Sequence, residues 1–412
     1  MALCAATFAL AGCGGGGASS VQGNVLNPGA ANTVHIYSSL PLRGPAREHA
    51  VAIVGGIKLA LAVAAGKAGS FKVSYRSLDD SGSRVAGSDA SQTQANARLA
   101  ATDPLAVLYI GEFASRASEL SIPILNVAGL PQLSPANTYV GLTTSDPGSA
   151  PGEPQRFYPT GLRTYWRIMP RETVEAAAGL LAMKHDGCAK VDVAHDRGTF
   201  GVSLAALLDS QKAKYGLDIV SNVPVDFSQA SFHAYAEGVK RDGADCFYYA
   251  GNDPRVAIQL TRDVNVVIPS AAIYASSGVC DRTFANLGRG GVASGAAAKV
   301  QCTLPTLELT SYPGGKQFLS AYQRRTGISD PDPYAIYGYE AMKLGLDTIA
   351  SLGPQGNDKS AVGKALSAVK ARQSVLGTYG FDANGDTTLR TFGLYKIGKD
   401  GNPQFERTLN PG

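Results

Sequence analysis

The serine at position 115 stands where a small anionic ligand is readily held. It follows an apolar segment, 106–110, that predicts a fully buried strand, and it begins a stretch, 115–127, that predicts a helix disturbed at Pro123. Ligands of open parallel sheets bind beyond the carboxyl ends of the strands. There a hydroxyl group and the N–H groups of a helix start can hold a carboxylate. The alternative is that Ser115 only caps its own helix.

Catalytic side-chain sets are absent from the sequence. The chain has 5 histidines among 412 residues, and none belongs to a recognisable catalytic or tetrahedral metal-binding set. It also lacks a Gly-x-Ser-x-Gly elbow, a His-Glu-x-x-His motif and a phosphate loop. The formal net charge is +4, and the basic residues are scattered rather than gathered into a stripe. We therefore expect a protein that is not an enzyme, needs no metal or cofactor and does not bind nucleic acid.

A second position with reactive chemistry is Cys13. An apolar run, 2–11, ends just before Gly12 and this cysteine, and four glycines follow. The run is too short to span a bilayer but fits an export signal, and a thiol can accept lipid. The arrangement resembles the cleavage box of bacterial lipoproteins, although no Lys or Arg precedes the run. The resemblance implies a signal peptide at 1–12, lipid attachment at Cys13 and a linker at 13–32; the alternative is a buried N-terminal helix.

The rest of the sequence alternates between strand and helix patterns, which predicts parallel sheets covered by helices. The composition is that of a well-buried globular protein, since 44% of the residues are hydrophobic and 17% are charged. The alternation breaks at 143–160, where prolines indicate a surface loop, and then restarts. The segment 377–397 predicts two strands joined by a turn at 382–386. We expect an α/β protein with two doubly wound parallel-sheet units.

A series of short motifs follows the predicted strands. They are Leu42-Arg43-Gly44-Pro45, Leu78-Asp79-Asp80, Asn96-Ala97, Ile110-Gly111-Glu112-Phe113-Ala114-Ser115, Gly129 to Thr138, Thr199-Phe200-Gly201, Phe247 to Gly251, Tyr337 to Ala341 and Gly380-Phe381-Asp382. No single motif is diagnostic. In this order and spacing they resemble type I periplasmic solute-binding proteins of ABC importers, in the group that binds branched-chain amino acids. The resemblance covers the chain from about Val34 to Lys399.

The resemblance implies two α/β lobes, joined by three crossing segments, that close on a ligand by hinge motion. The first lobe would comprise 34–165 and 304–373, and the second 166–303 and 374–407. The implied function is that of an exported receptor, held at the cell envelope by its lipid anchor alone. It would act as a monomer, capture an amino acid, an amide or a small carboxylate, and deliver it to an ABC permease. The alternative is a ligand-sensing subunit that passes occupancy to a signalling partner.

The same resemblance implies a ligand site between the lobes. Relatives hold the ligand carboxylate with a serine at the position of Ser115, and they stack an aromatic ring on the ligand at the position of Phe200. Core packing is the alternative role for this phenylalanine. We expect ligand contacts at eight positions, which are His49, Ser115, Ala136, Thr138, Phe200, Asp253, Ser277 and Tyr334.

One departure from the family concerns the ligand ammonium. Amino-acid binders of the family place an acidic residue after the fourth strand of the second lobe, whereas positions 275–278 read Ala-Ser-Ser-Gly. Asp253 or Asp281 could substitute from nearby loops. An ammonium buried without a counter-charge is costly. We therefore expect leucine, isoleucine and valine to bind weakly, and a ligand without the ammonium to bind better.

Four cysteines lie beyond the predicted signal and its lipid-attachment residue Cys13. Their even number permits two disulfides in an exported chain. Cys188 and Cys246 each lie just before a strand, the first and the third of the second unit, and these strands should be neighbours. We expect these two residues to pair, and Cys280 to pair with Cys302 by elimination. The alternative is four separate buried thiols.

Overall fold

The computed structural model describes residues 32–44, 46–82, 87–226, 228–281, 284, 286, 288, 290–292, 294–297, 299–398 and 400–412. The predicted signal peptide at 1–12, the lipid-attachment residue Cys13 and all but the last residue of the predicted linker at 13–32 lie outside the described residues. Among the helices of the described part of the chain, none combines the length and the apolar character needed to cross a bilayer.

Six strands form the first sheet, in the order β2-β3-β1-β4-β5-β6. They are β1 (Thr33–Leu40), β2 (Lys67–Ala68), β3 (Phe71–Asp79), β4 (Ala106–Ile110), β5 (Gln132–Ser134) and β6 (Tyr165–Arg167). Strand β2 joins in antiparallel pairing, and the other neighbours pair in parallel. Every residue of β4 is buried, as expected of a parallel strand covered by helices on both faces.

Seven strands form the second sheet, in the order β15-β14-β11-β10-β9-β7-β8. Its members and the separate β12–β13 pair are β7 (Lys190–His195), β8 (Asp218–Pro224), β9 (Cys246–Ala250), β10 (Ala272–Ala275), β11 (Val300–Leu304), β12 (Arg372–Ser374), β13 (Gly377–Tyr379), β14 (Phe392–Ile397) and β15 (Pro403–Leu409). Strands β7 to β11 pair in parallel, whereas β14 and β15 extend the sheet in antiparallel pairing. The predicted α/β class with two mainly parallel sheets is confirmed.

Helices cover both sheets. Those of the described residues are α1 (Arg47–Val63), α2 (Ala90–Thr102), α3 (Ser115–Val127), α4 (Glu172–His185), α5 (Thr199–Gln211), α6 (His233–Arg241), α7 (Pro254–Val267), α8 (Ser294–Ala297), α9 (Gly315–Thr326), α10 (Tyr334–Ser351) and α11 (Lys359–Ser367). Helix α10 packs closely on α1. A Cβ atom at Gly56 would overlap the carbonyl oxygen of Ala335, and one at Gly338 would overlap that of Ile53. These two glycines therefore allow a late helix to join the layer around the first sheet.

The prediction that the two strands within 377–397 pair across a turn is wrong. Strand β13 pairs with β12, and β14 pairs with β11 and β15. The turn at 382–386 does form, since the Asp382 N–H donates to the Asp386 carbonyl at 2.9 Å and Gly385 has a φ of +86°. A turn depends on local backbone chemistry, whereas the partners of a strand depend on what the tertiary fold brings beside it.

The predicted surface loop at 143–160 is confirmed for most of its length, since it contains no strand or α-helix and most of its residues are exposed or half-buried, but a few of its side chains anchor it to the core. Glu153, Phe157 and Tyr158 are buried. The Tyr139 hydroxyl donates to the Glu153 carboxylate at 2.6 Å, which fixes this segment against the body of the protein. Prolines exclude regular helix and strand, but they do not prevent packing.

Buried apolar side chains form one cluster around the first sheet and another that reaches both sheets. The first contains Ile36 and Ile336 and extends to Phe381. The other contains Val193 and Tyr248 of the second sheet together with Tyr165 of β6. The chain passes between the two sheets after β6, after β11 and after β13. The predicted lobe boundaries, at 34–165 with 304–373 and at 166–303 with 374–407, stay predictions; Leu376, Tyr379 and Phe381 pack in the first cluster.

A buried arginine joins two of these crossing segments. Arg167, at the end of β6, is 0% exposed, and its Nε donates to Asp386 Oδ1 at 2.6 Å. Its two terminal nitrogens donate to the Tyr139 carbonyl and to the Thr143 hydroxyl, both at 2.6 Å. The backbone N–H of Arg167 donates to the Gly385 carbonyl at 3.1 Å. The first and third crossings are therefore held side by side.

The structure contains both predicted disulfides. Cys188 is joined to Cys246 with a Cα–Cα distance of 5.8 Å, and Cys280 is joined to Cys302 at 5.7 Å. Strands β7 and β9 are neighbours, with Val191 opposite Cys246. The first pair therefore forms for the predicted reason, since the two cysteines lie at the same end of adjacent strands.

Candidate functional site

The first part of the candidate site lies at the carboxyl edge of the first sheet. Ser115 begins α3 just after β4, and its hydroxyl oxygen accepts the N–H groups of Thr138 at 3.4 Å and Tyr139 at 3.3 Å. The N-cap of α3 is Ala114, and no side chain caps the helix. Ser115 is therefore not the cap that its local sequence allowed. It is partly exposed beside the positive end of a helix, which suits an anionic oxygen.

The predicted contact at Ala136 lies on the same edge, but its backbone is already engaged. The Ala136 N–H donates to Ser134 Oγ at 3.2 Å, and the residue is 7% exposed. The Thr138 carbonyl accepts the backbone N–H of Glu172, the first residue of α4, at 2.9 Å. This bond links the first-sheet edge directly to the helix that follows the first crossing.

Two further predicted residues, His49 and Tyr334, meet in an aromatic group. Their ring centroids are 4.9 Å apart, and Phe113 joins them, stacked on His49 at 5.7 Å and edge-on to Tyr334 at 5.5 Å. Because α1 and α10 pack together, rings from distant parts of the sequence come to lie beside the loop before α3. The group offers a planar, largely apolar surface near Ser115 in the fold.

The imidazole of His49 lies against the carboxylate of Asp332. Its Nδ1 lies 2.7 Å from Asp332 Oδ2. Burial lowers the pKa of His49, but the hydrogen bond and negative charge of Asp332 outweigh burial, so the pKa is raised. Asp281, which follows β10 of the second sheet, adds to this rise. The charge of Asp281, beyond the second sheet, therefore acts on His49, beside the first sheet.

The predicted second-lobe contacts Phe200 and Asp253 lie apart from this group. Phe200 is partly buried in α5 and packs against the core cluster of the second sheet. Asp253 caps α7 and forms an ion pair with Arg255 at 3.0 Å, and it lines a cavity of about 560 Å³. Among the described residues, neither makes a hydrogen bond or ring contact with Ser115 or Thr138. Burial tends to raise the pKa of Asp253, but its hydrogen bonds with Arg255 lower it overall.

The predicted contact at Ser277 is held by a carboxyl group that the sequence reasoning missed. The Ser277 N–H donates to Glu175 Oε1 at 2.7 Å, and its hydroxyl donates to Glu175 Oε2 at 2.9 Å. The Thr303 hydroxyl also donates to Glu175 Oε1, at 3.2 Å. Residues 275–278 contain no acidic side chain, yet helix α4 places one against Ser277 through space.

Glu172, one turn earlier on α4, is a second buried carboxyl. It is 1% exposed and accepts the Ser203 hydroxyl at 2.6 Å. Burial raises the pKa of Glu172 to about 8, and the neighbouring Glu175 adds to the rise. Burial also raises the pKa of Glu175, to about 7. Two carboxyls that change charge near neutral pH therefore lie between the two edges of the candidate site.

A signal for these carboxyls exists in the sequence. Glu172 and Glu175 are spaced one helical turn apart at the start of a segment that is otherwise almost wholly apolar up to Met183. Acidic residues on a helix with no polar face must be buried, and buried carboxyls are frequently functional.

The described residues offer no open metal site. The one group of His, Cys, Asp or Glu side chains with suitable distances among them is Cys188, Asp245 and Cys246. Both sulfur atoms of that group belong to a disulfide, and a thiolate is the form of cysteine that binds metal.

Comparison with known proteins gives a consistent result. A family model described as periplasmic binding protein matches residues 33–402. The Leu/Ile/Val-binding protein homolog 1 of Brucella melitensis is 23% identical over 268 residues, which are 64% of this chain and 68% of that protein.

Solved structures share the fold over nearly the whole chain. A leucine binding protein from Thermotoga maritima has a TM-score of 0.72 at 21% identity, covering 92% of this chain and 99% of that one. A solute binding protein of an ABC transporter from R. palustris, in complex with 4-hydroxybenzoate, has a TM-score of 0.72 at 15% identity, covering 92% and 97%. Since the family model spans most of the sequence and these structures share its fold, the chain belongs to the periplasmic binding protein family.

Proposed function

We propose that this protein captures a small solute bearing a carboxylate between two lobes and delivers it to the permease of an ABC importer. The observation that carries the proposal is the position of Ser115. Its hydroxyl lies at the uncapped start of α3 and against the N–H groups of Thr138 and Tyr139. A carboxylate placed there would accept a hydroxyl hydrogen bond beside the positive end of a helix dipole.

Residues of both lobes would contact the ligand. His49 and Tyr334 would cover the body of the ligand from the first lobe, while Phe200, Ser277 and the loop at Asp253 would close over it from the second. Ala136 would contribute through its backbone carbonyl, because its N–H already donates to Ser134 Oγ. Closure of this kind requires that the crossing segments bend and that the buried cluster joining Tyr165 of β6 to Val193 and Tyr248 of the second sheet shifts with them.

Relatives support a range of carboxylate ligands. The Thermotoga maritima neighbour is a leucine binding protein, and the R. palustris neighbour holds 4-hydroxybenzoate. Both ligands share a carboxylate and differ in whether an ammonium accompanies it. The first lobe would therefore hold the ligand by its carboxylate.

We also propose that the protein works at the cell envelope, anchored by lipid on Cys13 after removal of residues 1–12. The small residues before this cysteine and the glycines after it support this. A tethered receptor stays close to its permease, which raises the effective concentration at which the two meet.

Replacing Ser115→Ala tests the ligand site. We expect the affinity for the best ligand of a thermal-shift screen, covering amino acids, amides and aromatic acids, to fall tenfold or more. That corresponds to the loss of one charge-assisted hydrogen bond of about 1.5–3 kcal/mol. The free energy of unfolding without ligand should fall by about 1–3 kcal/mol, because the N–H groups of Thr138 and Tyr139 lose their acceptor, and circular dichroism checks that the variant is folded before affinities are compared.

The matched control is Ser360→Ala. Ser360 is an exposed serine in the first turn of α11, with its backbone N–H held by Asp358 at 2.8 Å. It should leave the affinity unchanged. Equal calorimetric affinities for the Ser115→Ala variant and the wild type would refute the proposed carboxylate site.

A further inference from the structure

Asp80 and Glu112 are two buried carboxyls that meet behind the carboxyl edge of the first sheet. Asp80 follows β3 and Glu112 lies two positions after β4, and both residues are 0% exposed. Strand β1 runs between β3 and β4. The Asp80 N–H donates to the Leu40 carbonyl at 3.2 Å, and a Cβ atom at Gly111 would lie 2.8 Å from the Ser39 carbonyl oxygen. Both acids therefore lie at the end of β1, with their carboxyl groups within hydrogen-bonding reach of each other.

Three of the four carboxyl oxygens of this pair lack a donor. Among the described residues, no N–H or O–H group donates to Asp80 Oδ1, Asp80 Oδ2 or Glu112 Oε2. The fourth oxygen, Glu112 Oε1, accepts the Tyr109 hydroxyl at 2.8 Å. A carboxylate cannot donate, so two ionised side chains in contact would leave these buried oxygens unsatisfied. One proton between them supplies a donor and removes one of the two charges.

The surroundings of the pair do not supply a positive charge. Within the part of the chain that the structure describes, no Lys, Arg or His forms an ion pair with Asp80 or Glu112. The titratable groups that face the pair are Asp79 from β3 and Tyr109 from β4, and Asp79 is itself paired with Arg43 at 2.7 Å. Two negative charges at this depth would be uncompensated, and a protein relieves such a pair by keeping one carboxyl protonated.

The same contacts decide which carboxyl holds the proton. Burial raises the pKa of Glu112 well above its usual range, and the negative charge of Asp80 adds to the rise. Burial also raises the pKa of Asp80, while the contact with Glu112 lowers it. The hydroxyls of Ser39 and Ser88 lower the pKa of the carboxyl beside each, although neither donates in hydrogen-bonding geometry. Glu112 is therefore the donor of the pair, and Asp80 is the charged acceptor.

Glu112 also begins the loop that leads into the candidate ligand site. Its carbonyl accepts the Ser134 hydroxyl at 2.9 Å and the Asn137 side-chain amide at 3.1 Å. The next residue is Phe113, whose ring belongs to the aromatic group, and Ser115 follows at the start of α3. A displacement of Glu112 would therefore move both an aromatic surface and the hydroxyl that is proposed to hold the ligand.

We propose that Asp80 and Glu112 share a single proton, and that this carboxyl pair positions the loop carrying Phe113 and Ser115 for ligand binding. Both acids are positioning residues, because they are fully buried behind the loop. The positioning role rests on the proposed function, whereas the shared proton does not. The two parts are therefore tested by separate measurements.

Counting protons tests the shared proton. When the protein is transferred into concentrated urea at pH 7.5, both carboxyls ionise and the pair releases its proton. A pH-stat should record about one proton more from the wild type than from Glu112→Gln or Asp80→Asn. In either variant an amide N–H donates to the remaining carboxylate in place of the proton. The double variant should release the same number of protons as each single variant, because only one proton is shared.

Ligand affinity tests the positioning role. The probes are leucine and 4-hydroxybenzoate, and calorimetry uses whichever of them binds the wild type. Glu112→Met removes the donor of the pair and Asp80→Ala removes its acceptor, so each should lower the affinity about tenfold or more. Glu112→Gln and Asp80→Asn keep the hydrogen bond and should bind within about threefold of the wild type. A residue that served only to fill space would not distinguish the amides from the other substitutions in this way.

Asp192→Asn is the matched control. Asp192 is 1% exposed in β7 of the second sheet, where it accepts the Tyr235 hydroxyl. Burial raises the pKa of Asp192 to about 6, so this carboxyl is ionised at pH 7.5. The variant should release as many protons as the wild type and keep its affinity. Circular dichroism establishes that each variant is folded.

Several results would overturn the proposal. Equal proton release from the wild type and the amide variants would show that the pair holds no proton, and fewer protons from the double variant than from the single ones would show that it holds two. Failure of both amide variants to fold would also count against it, since each keeps the hydrogen bond. Wild-type affinity in Glu112→Met and Asp80→Ala would refute the positioning role while the proposed function stands. If the wild type binds neither probe, the proposed function fails, and the proton count still tests the pair.

Discussion

Removing the buried guanidinium of Arg167 should destabilise the protein by about 3 kcal/mol. In the Arg167→Met variant, three short hydrogen bonds are lost, to Asp386, to the Tyr139 carbonyl and to the Thr143 hydroxyl. Breaking one side of a buried ion pair typically costs about 3–5 kcal/mol. We expect the lower end of that range, because Arg171 lies 3.3 Å from Asp386 and keeps part of its charge balanced.

Urea unfolding of the unliganded protein measures this cost. The chain has a single tryptophan, Trp166, which is 2% exposed and adjoins Arg167, so its fluorescence reports on this region, with circular dichroism as an independent probe. Lys396→Met is the control, since it removes a half-exposed ion pair with Glu406 and should cost less than about 1 kcal/mol. Identical unfolding midpoints and slopes for Arg167→Met and the wild type would refute the view that this residue clamps the crossings.

Two further predictions follow from the buried carboxyls and from the N-terminal cysteine. Because burial raises the pKa of Glu172 to about 8, above its value in the unfolded chain, the stability it contributes is present at acidic pH and is lost as the pH rises towards 8. In the Glu172→Gln variant, the free energy of unfolding should therefore fall less steeply between pH 5 and pH 8, by the slope that about one bound proton contributes. Denaturant titrations at several pH values measure this slope, and an unchanged slope would contradict the prediction. Cys13→Ser should move the protein from the detergent phase to the aqueous phase of a Triton X-114 partition, whereas equal retention of variant and wild type would contradict lipid anchoring.

Much of the fold is predictable from local pattern. The apolar run 106–110 and the strand–helix alternation around it predict parallel, covered strands, because side-chain periodicity records which faces of an element are buried. The turn at 382–386 is equally local. The disulfide between Cys188 and Cys246 follows once their strands are placed side by side.

Other features of the fold depend on distant contacts. Strand β14 pairs with β11, far earlier in the chain, rather than across the turn at 382–386, and Phe157 and Tyr158 of the proline-rich loop 143–160 are buried. Local sequence specifies where an element can start and stop. It does not specify which surface the element will meet, since that is decided by the packing of all the elements together.

The candidate site divides in the same way. The sequence by itself placed Ser115 at a strand end and a helix start, because both are local features. Only the tertiary structure brought His49 beside Tyr334, and only the tertiary structure set Glu175 against Ser277, which lies 102 positions away. The residues after β10 contain no acid, so local reading found no counter-charge. The carboxyl comes from another helix, because burial and hydrogen bonding act through space and not along the chain.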